Sequence, residues 1–193
     1  ASAAGKTVTP GTSSFYDLTF SGTGSWSFGS SNATSSRHFI ITQGAVTLPS
    51  GTMAVGGSFV KTGGSFAHNN GVLKLTANSA QTVRFSGSDA YATTFSGTGG
   101  SWSFLDASAT STNNVRFEAG TSTLPSGTFA VGGSWTATNG GFSANGGTVK
   151  FVATSTAKTV SPNISLFANV IFDGAGGGWT ISASTTATGA LSL

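Results

Sequence analysis

The stretch Thr47-Leu-Pro-Ser-Gly-Thr-Met-Ala-Val-Gly-Gly-Ser-Phe59 returns as Thr123-Leu-Pro-Ser-Gly-Thr-Phe-Ala-Val-Gly-Gly-Ser-Trp135, at an offset of 76 with 11 of 13 positions identical. Both replacements exchange one apolar side chain for another. Outward from this pair the copying continues. Phe20-Ser-Gly-Thr-Gly-Ser-Trp-Ser-Phe28 returns as Phe95-Ser-Gly-Thr-Gly-Gly-Ser-Trp-Ser-Phe104, and more weakly as Phe172-Asp-Gly-Ala-Gly-Gly-Gly-Trp-Thr-Ile181. Trp26, Trp102 and Trp179 therefore stand 76 and 77 residues apart. Lys6-Thr-Val8, Gln81-Thr-Val83 and Lys158-Thr-Val160 open the three copies. A fixed period of this kind is the signature of a repeat architecture. The chain reads as one continuous repeat domain over 1–193, with repeat 1 at 5–79, repeat 2 at 80–156 and a partial repeat 3 at 157–193.

Within each repeat the pattern is that of short strands. Leu18-Thr-Phe20, Trp26-Ser-Phe28, Phe39-Ile-Ile41, Val46-Thr-Leu48, Val72-Leu-Lys-Leu75, Val115-Arg-Phe117 and Thr148-Val-Lys-Phe151 place β-branched or aromatic residues at two-residue spacing between Gly, Asn and Ser. Such alternation predicts half-buried strands, and no segment carries a helical period. Gly-Gly and Asn-Gly pairs such as Gly56-Gly57, Asn70-Gly71 and Asn145-Gly146 supply turn positions. Two all-β architectures fit. The favoured one is a parallel β-solenoid, whose stacked coils need only three to five residues per strand. The other is a tandem of β-sandwiches, for which Asn-Gly as a hairpin signal is the best argument.

Composition narrows the function. Of 193 residues, 31 are Ser, 30 Thr and 29 Gly, while only 13 are charged and none is Cys. A chain with 37% hydrophobic residues and 15 Phe has material for a core, so disorder is excluded. Disulfide scaffolds and Cys-ligated metals are excluded as well. The eight basic residues are scattered singly, without the patch that nucleic-acid binding requires. No apolar run reaches the roughly 20 residues of a membrane helix. Absent Cys and a Ser/Thr/Gly surface suit an extracellular or cell-surface location.

At Phe15-Tyr-Asp-Leu-Thr-Phe20-Ser-Gly-Thr-Gly-Ser-Trp26, Val55-Gly-Gly-Ser-Phe59 and Gly147-Thr-Val-Lys-Phe151, the chain resembles Thr/Ser/Gly-rich repeat regions of bacterial surface proteins, the filamentous-haemagglutinin-like and autotransporter-type β-helix adhesins. The resemblance covers the whole chain. It implies a secreted, right-handed parallel β-helix used as a stalk, fibre or adhesin, and brings no catalytic residues with it.

The residues themselves offer little chemistry. Asp17, Asp89, Asp106, Glu118 and Asp173 are single and fall at different phases of the repeat, so no paired carboxylates are expected for acid/base work or Ca²⁺. His38 and His68 lack partners at metal-ligand spacing. No Ser lies in a nucleophile elbow, and Gly22-Thr-Gly24 and Gly97-Thr-Gly99 precede no helix that would make a phosphate loop. No catalytic, cofactor or metal residue is assigned. Trp135 replaces Phe59 between copies, which points to a buried slot for a large ring rather than a sugar-stacking row. The Thr-x-Thr triplets at 7–9, 136–138, 154–156 and 186–188 recur at no single phase, as an ice-matching face would require. Asn32-Ala-Thr34 and Asn163-Ile-Ser165 are possible glycosylation sequons.

Neither end of the sequence carries a polar cap, which repeat proteins use to close their stacks. The expectation is that Ala1, Ser2, Ala3 and Ala4 at one end and Leu191, Ser192 and Leu193 at the other pair with further copies, end to end or by a donated strand. The alternative is a fragment of a longer stalk. The expected function is a non-catalytic subunit of a self-assembling extracellular filament or stalk, with self as partner and surface glycans as a possible second one. Alternatives are an adhesin or carbohydrate-binding β-helix module, and an ice-binding or polysaccharide-degrading solenoid.

Overall fold

Strands of three or four residues cannot stand alone. Each buries one face only when a neighbour lies on either side, and the computed structural model, which describes residues 2–182 and 184–193, shows how this is met. Among the described residues every element is a β-strand and every strand pairing is parallel. The chain winds into a β-solenoid of about nine turns. This settles the architecture against tandem sandwiches, which need antiparallel pairs. The Asn-Gly signals act as corners instead. Asn70 (φ 57°) and Asn145 (φ 51°) turn the chain from one face of the coil to the next.

Each coil has three faces, met in the chain order A, B, C. Face A begins with Lys6–Val8, Ser25–Phe28, Ala45–Thr47 and Ser65–Ala67. It continues through Ala90 into Ala109–Ser111, Thr128–Val131, Thr148–Phe151, Asn169–Phe172 and Leu191–Ser192. Face B carries Asn32–Ser35, Thr52–Val55, Val72–Leu75, the start of the long strand Ala92–Phe104, the start of Val115–Thr123, then Trp135–Ala137, Lys158–Ser161 and Trp179–Ile181. Face C carries Leu18–Phe20, Phe39–Ile41, Phe59–Lys61, Ala80–Arg84, the ends of the two long strands and Gly141–Ser143.

The alternation read in the sequence decides what points inward. Thr52–Val55, Val72–Leu75, Thr128–Val131 and Thr148–Phe151 each bury every second residue. Parallel register then places like upon like. Phe39 stacks on Phe59 at 5.1 Å, Phe95 on Phe117 at 5.0 Å and Phe151 on Phe172 at 5.0 Å. These separations follow the strand spacing of about 4.8 Å, so the core is a set of ring columns running along the axis.

The three Trp copies occupy three different faces. Ser25–Phe28 lies on face A, Ser101–Phe104 on face C and Trp179–Ile181 on face B. Each matched segment is thus displaced around the solenoid relative to its predecessor. Trp102 and Trp135 are fully buried, and Trp26 and Trp179 are half-buried.

Several buried positions depart from the apolar rule, Ser122 among them. Ser122 is buried and its hydroxyl has no partner. Its counterpart 76 residues earlier is Val46, on the matching strand beside Trp26. An unpaired buried hydroxyl costs about 1–3 kcal/mol. Ser122→Val is expected to raise the urea midpoint, by about 1 kcal/mol in stability. A lower midpoint would show that the hydroxyl is satisfied, by water for example.

Candidate binding face

Among the described residues, eight of the thirteen charged side chains form ion pairs between coils. Arg37 meets Asp17 at 3.1 Å, Lys74 meets Glu118 at 3.5 Å, Arg84 meets Asp106 at 3.8 Å and Lys150 meets Asp173 at 2.6 Å. Such half-exposed pairs contribute about 0–1 kcal/mol each. Asp106 does more, since it also accepts from the backbone N–H groups of Phe85 and Ser86, closing a corner. Asp17 likewise accepts from the backbone N–H of His38. Four of the five acids are therefore bound to separate structural partners, and no group of three His, Cys, Asp or Glu gathers among the described residues.

The histidines sit at corners. His38 Nδ1 accepts the backbone N–H of Ser58, and His68 Nδ1 accepts that of Asn70. The Thr-x-Thr triplets are distributed rather than aligned: Thr7 lies in a face A strand, Thr136 in a face B strand, and Thr186 and Thr188 flank the Ala187 bridge to Phe167. Asn32 and Asn163 are both exposed. Asn32 accepts the Thr52 N–H through Oδ1, which leaves its amide nitrogen outward, whereas Asn163 donates through Nδ2 to the Thr138 carbonyl.

Of the terminal residues singled out from the sequence, Ala1 lies outside the described residues. Ser2, Ala3 and Ala4 are exposed and in no strand. Leu191 and Ser192 form the last strand, paired on one side with Val170 and Ile171. Leu191 and Leu193 are 62% and 93% exposed. Leu193 lines one apolar depression with Phe172, Trp179 and Ile181, and Leu191 and Leu193 line a second with Val160, Val170, Phe172 and Ile181.

Two features had signals that composition alone does not weigh. Lys61 stands at an inward position of Phe59–Lys61, is almost fully buried, and donates from Nζ to the carbonyls of Gly64 and Ser86. The period-2 phase of Phe59-Val-Lys61 is the signal: it puts lysine where Ile41 and Phe85 fill the adjacent coils. The second is Arg116, an outward residue of face B with no ion pair among the described residues. It lines two neighbouring depressions of about 410 and 310 Å³. The small side chains Ala92, Thr94, Ser134 and Thr136 line them together with Tyr91, Asn113, Asn114 and Glu118.

Among the described residues no helix is long and apolar enough to cross a membrane. No protein-family model, curated protein or solved structure matches this chain.

Proposed function

We propose that this chain is a non-catalytic structural element of an extracellular filament or stalk, a right-handed β-solenoid built of 76-residue repeats whose copies add coil upon coil. The observation that carries this reading is the continuous parallel stack, in which short strands pair coil on coil and aromatic rings line up in columns along the axis. Among the described residues Trp179–Ile181 pairs with Lys158–Ser161, and Leu191–Ser192 pairs with Asn169–Phe172. The same parallel pairing would accept one further strand on each, from a following coil of the same chain or from another copy, beside the exposed Ile181 and Leu191. A strand edge with apolar area next to it is a template for further pairing. Low charge leaves little repulsion between stacked coils.

The displacement of the repeat around the axis supports the same reading. From Trp26 on face A to Trp102 on face C the chain passes three whole coils and two further faces, and the same advance leads to Trp179 on face B. A repeat that is not a whole number of coils spreads its features evenly around the rod. It cannot build a flat array of identical groups on one side, as an ice-binding face needs. It does give a rod of uniform surface and stiffness. The Ser/Thr/Gly surface without cysteine fits a location outside the cell.

The reading is tested by sedimentation velocity and negative-stain microscopy over a concentration series. Rods that lengthen with concentration are expected. Leu191→Lys, at a position exposed in the single chain, should shorten them without lowering the melting temperature by more than a degree or two, as surface changes cost within about 0.5 kcal/mol. Uniform short rods at every concentration would overturn self-assembly.

A further inference from the structure

We infer that the face B groove around Arg116 binds an acidic oligosaccharide, one bearing carboxylate or sulfate groups. The inference does not rest on the filament reading, since the groove lies in mid-stack and is complete in one chain.

The geometry comes from side-chain size. On the outer side of face B the register places Lys74, Thr94, Arg116 and Thr136 on successive strands. Small residues between long ones leave a hollow. One depression is lined by Asn114, Arg116, Glu118, Ser134, Thr136 and Thr159. The other is lined by Tyr91, Ala92, Thr94, Asn113 and Arg116. Arg116 belongs to both, so a single extended ligand crossing the coils would pass it.

The charges decide the ligand. Two ionised side chains line the depressions, Arg116 and Glu118, and Lys74 reaches Glu118. Lys74 and Glu118 neutralise one another at 3.5 Å. The guanidinium of Arg116 is left over, exposed and without an ionic partner among the described residues. A free planar fork of donors matches a carboxylate or sulfate oxygen pair. Around it stand amide and hydroxyl side chains suited to sugar hydroxyls. Tyr91, half-buried against His68 at a ring separation of 5.4 Å, supplies a fixed aromatic ring for a pyranose to pack on.

Comparison between the copies points the same way. Position 40, which is 76 residues before Arg116, is Ile40, and position 42, before Glu118, is Thr42. A residue kept only to preserve the coil would be small or β-branched, as these are. Arg116 is a local departure from the repeat at a strand position where a β-branched side chain suffices.

The test is calorimetric titration of the whole chain at low salt with tetragalacturonate, a heparin tetrasaccharide and the neutral cellotetraose. Saturable binding of at least one acidic tetrasaccharide is expected, about tenfold or more above the neutral one, as charge-assisted hydrogen bonds provide. The carboxylated and sulfated arms tell the two anion types apart. Arg116→Gln should weaken acidic binding about tenfold, and Tyr91→Leu should weaken it while leaving the preference for acid intact. Lys6→Gln removes the same charge from a remote exposed strand and should change nothing. Absence of binding by both acidic probes, equal binding of the neutral one, or equal loss in Lys6→Gln and Arg116→Gln would overturn the assignment.

Discussion

Trp135→Ala should lower the stability of the chain by about 3–5 kcal/mol, the range for removing a large buried ring. The indole is fully buried and is the meeting point of five other rings. Its ring contacts are Phe117 and Phe142 at 5.0 Å, Phe167 at 5.6 Å, Phe129 at 5.8 Å and Phe151 at 6.4 Å. These rings come from three successive coils, so the cavity would loosen the stack above and below it. A solenoid is stabilised by nearest-neighbour interfaces. The loss should therefore appear as a separate early transition of the coils around and after position 135, with the coils of repeat 1 melting near their original midpoint. Urea denaturation followed by hydrogen exchange resolves the two. Trp135→Phe provides the contrast. Phe59 fills the corresponding slot, and the Trp135 Nε1–H has no acceptor, so its loss leaves no partner stranded. This variant should retain most of the stability. A single unshifted transition for Trp135→Ala would show that the ring columns do not hold adjacent coils together.

The strands and the core were legible in the sequence because both rest on local alternation. Leu18–Phe20, Phe39–Ile41, Val72–Leu75 and Thr148–Phe151 fall where a two-residue period places them. The choice of solenoid over sandwich was less direct. The consecutive positive φ values of a hairpin turn occur at these solenoid corners as well, at Asn69 and Asn70 and at Asn145 and Gly146, so only the strand that follows distinguishes the two folds. The rotation of the repeat was not legible at all. It depends on the number of strands between one Trp copy and the next, and that number is obscured where Ala92–Phe104 and Val115–Thr123 each run through a corner as one long strand. The bulges between Phe95 and Ser101 let this happen. Arg116 was visible only as one of eight scattered basic residues. Its isolation emerges from three-dimensional pairing, because Lys74 and Glu118 are 44 positions apart in sequence yet meet at 3.5 Å across the intervening strand that carries Thr94.

Gly97→Ala should be the most damaging single substitution of a small residue in the chain. The glycines of Phe95-Ser-Gly97-Thr-Gly99-Gly100-Ser-Trp102 are not there for flexibility alone. Gly97 and Gly100 embrace the carbonyl of Ala77 in the preceding coil, and a Cβ on either would overlap that oxygen. On Gly97 the added carbon would also lie 2.6 Å from the Ala77 carbonyl carbon and 2.8 Å from that of Thr76. Both obstacles are backbone, so relief requires parting the coils. Gly174 and Gly177 hold the Ala153 carbonyl in the same way, and Ala77 and Ala153 are themselves 76 residues apart. The recurring glycine pair is therefore a packing device that lets one coil settle on the next at a corner, with the Trp102 ring against Gly100. Overpacking in a rigid interior costs about 1–3 kcal/mol and more where side chains cannot move aside, so Gly97→Ala belongs at or above the top of that range. Gly87→Ala separates this from simple dihedral strain. Gly87 has φ +81° but open space around its Cα, so alanine there meets only the left-handed penalty of about 1–2 kcal/mol. Thermal melts of the two variants should differ in that order. Equal midpoints would show that the corner yields, and that the carbonyl cradle does not set the spacing of the coils.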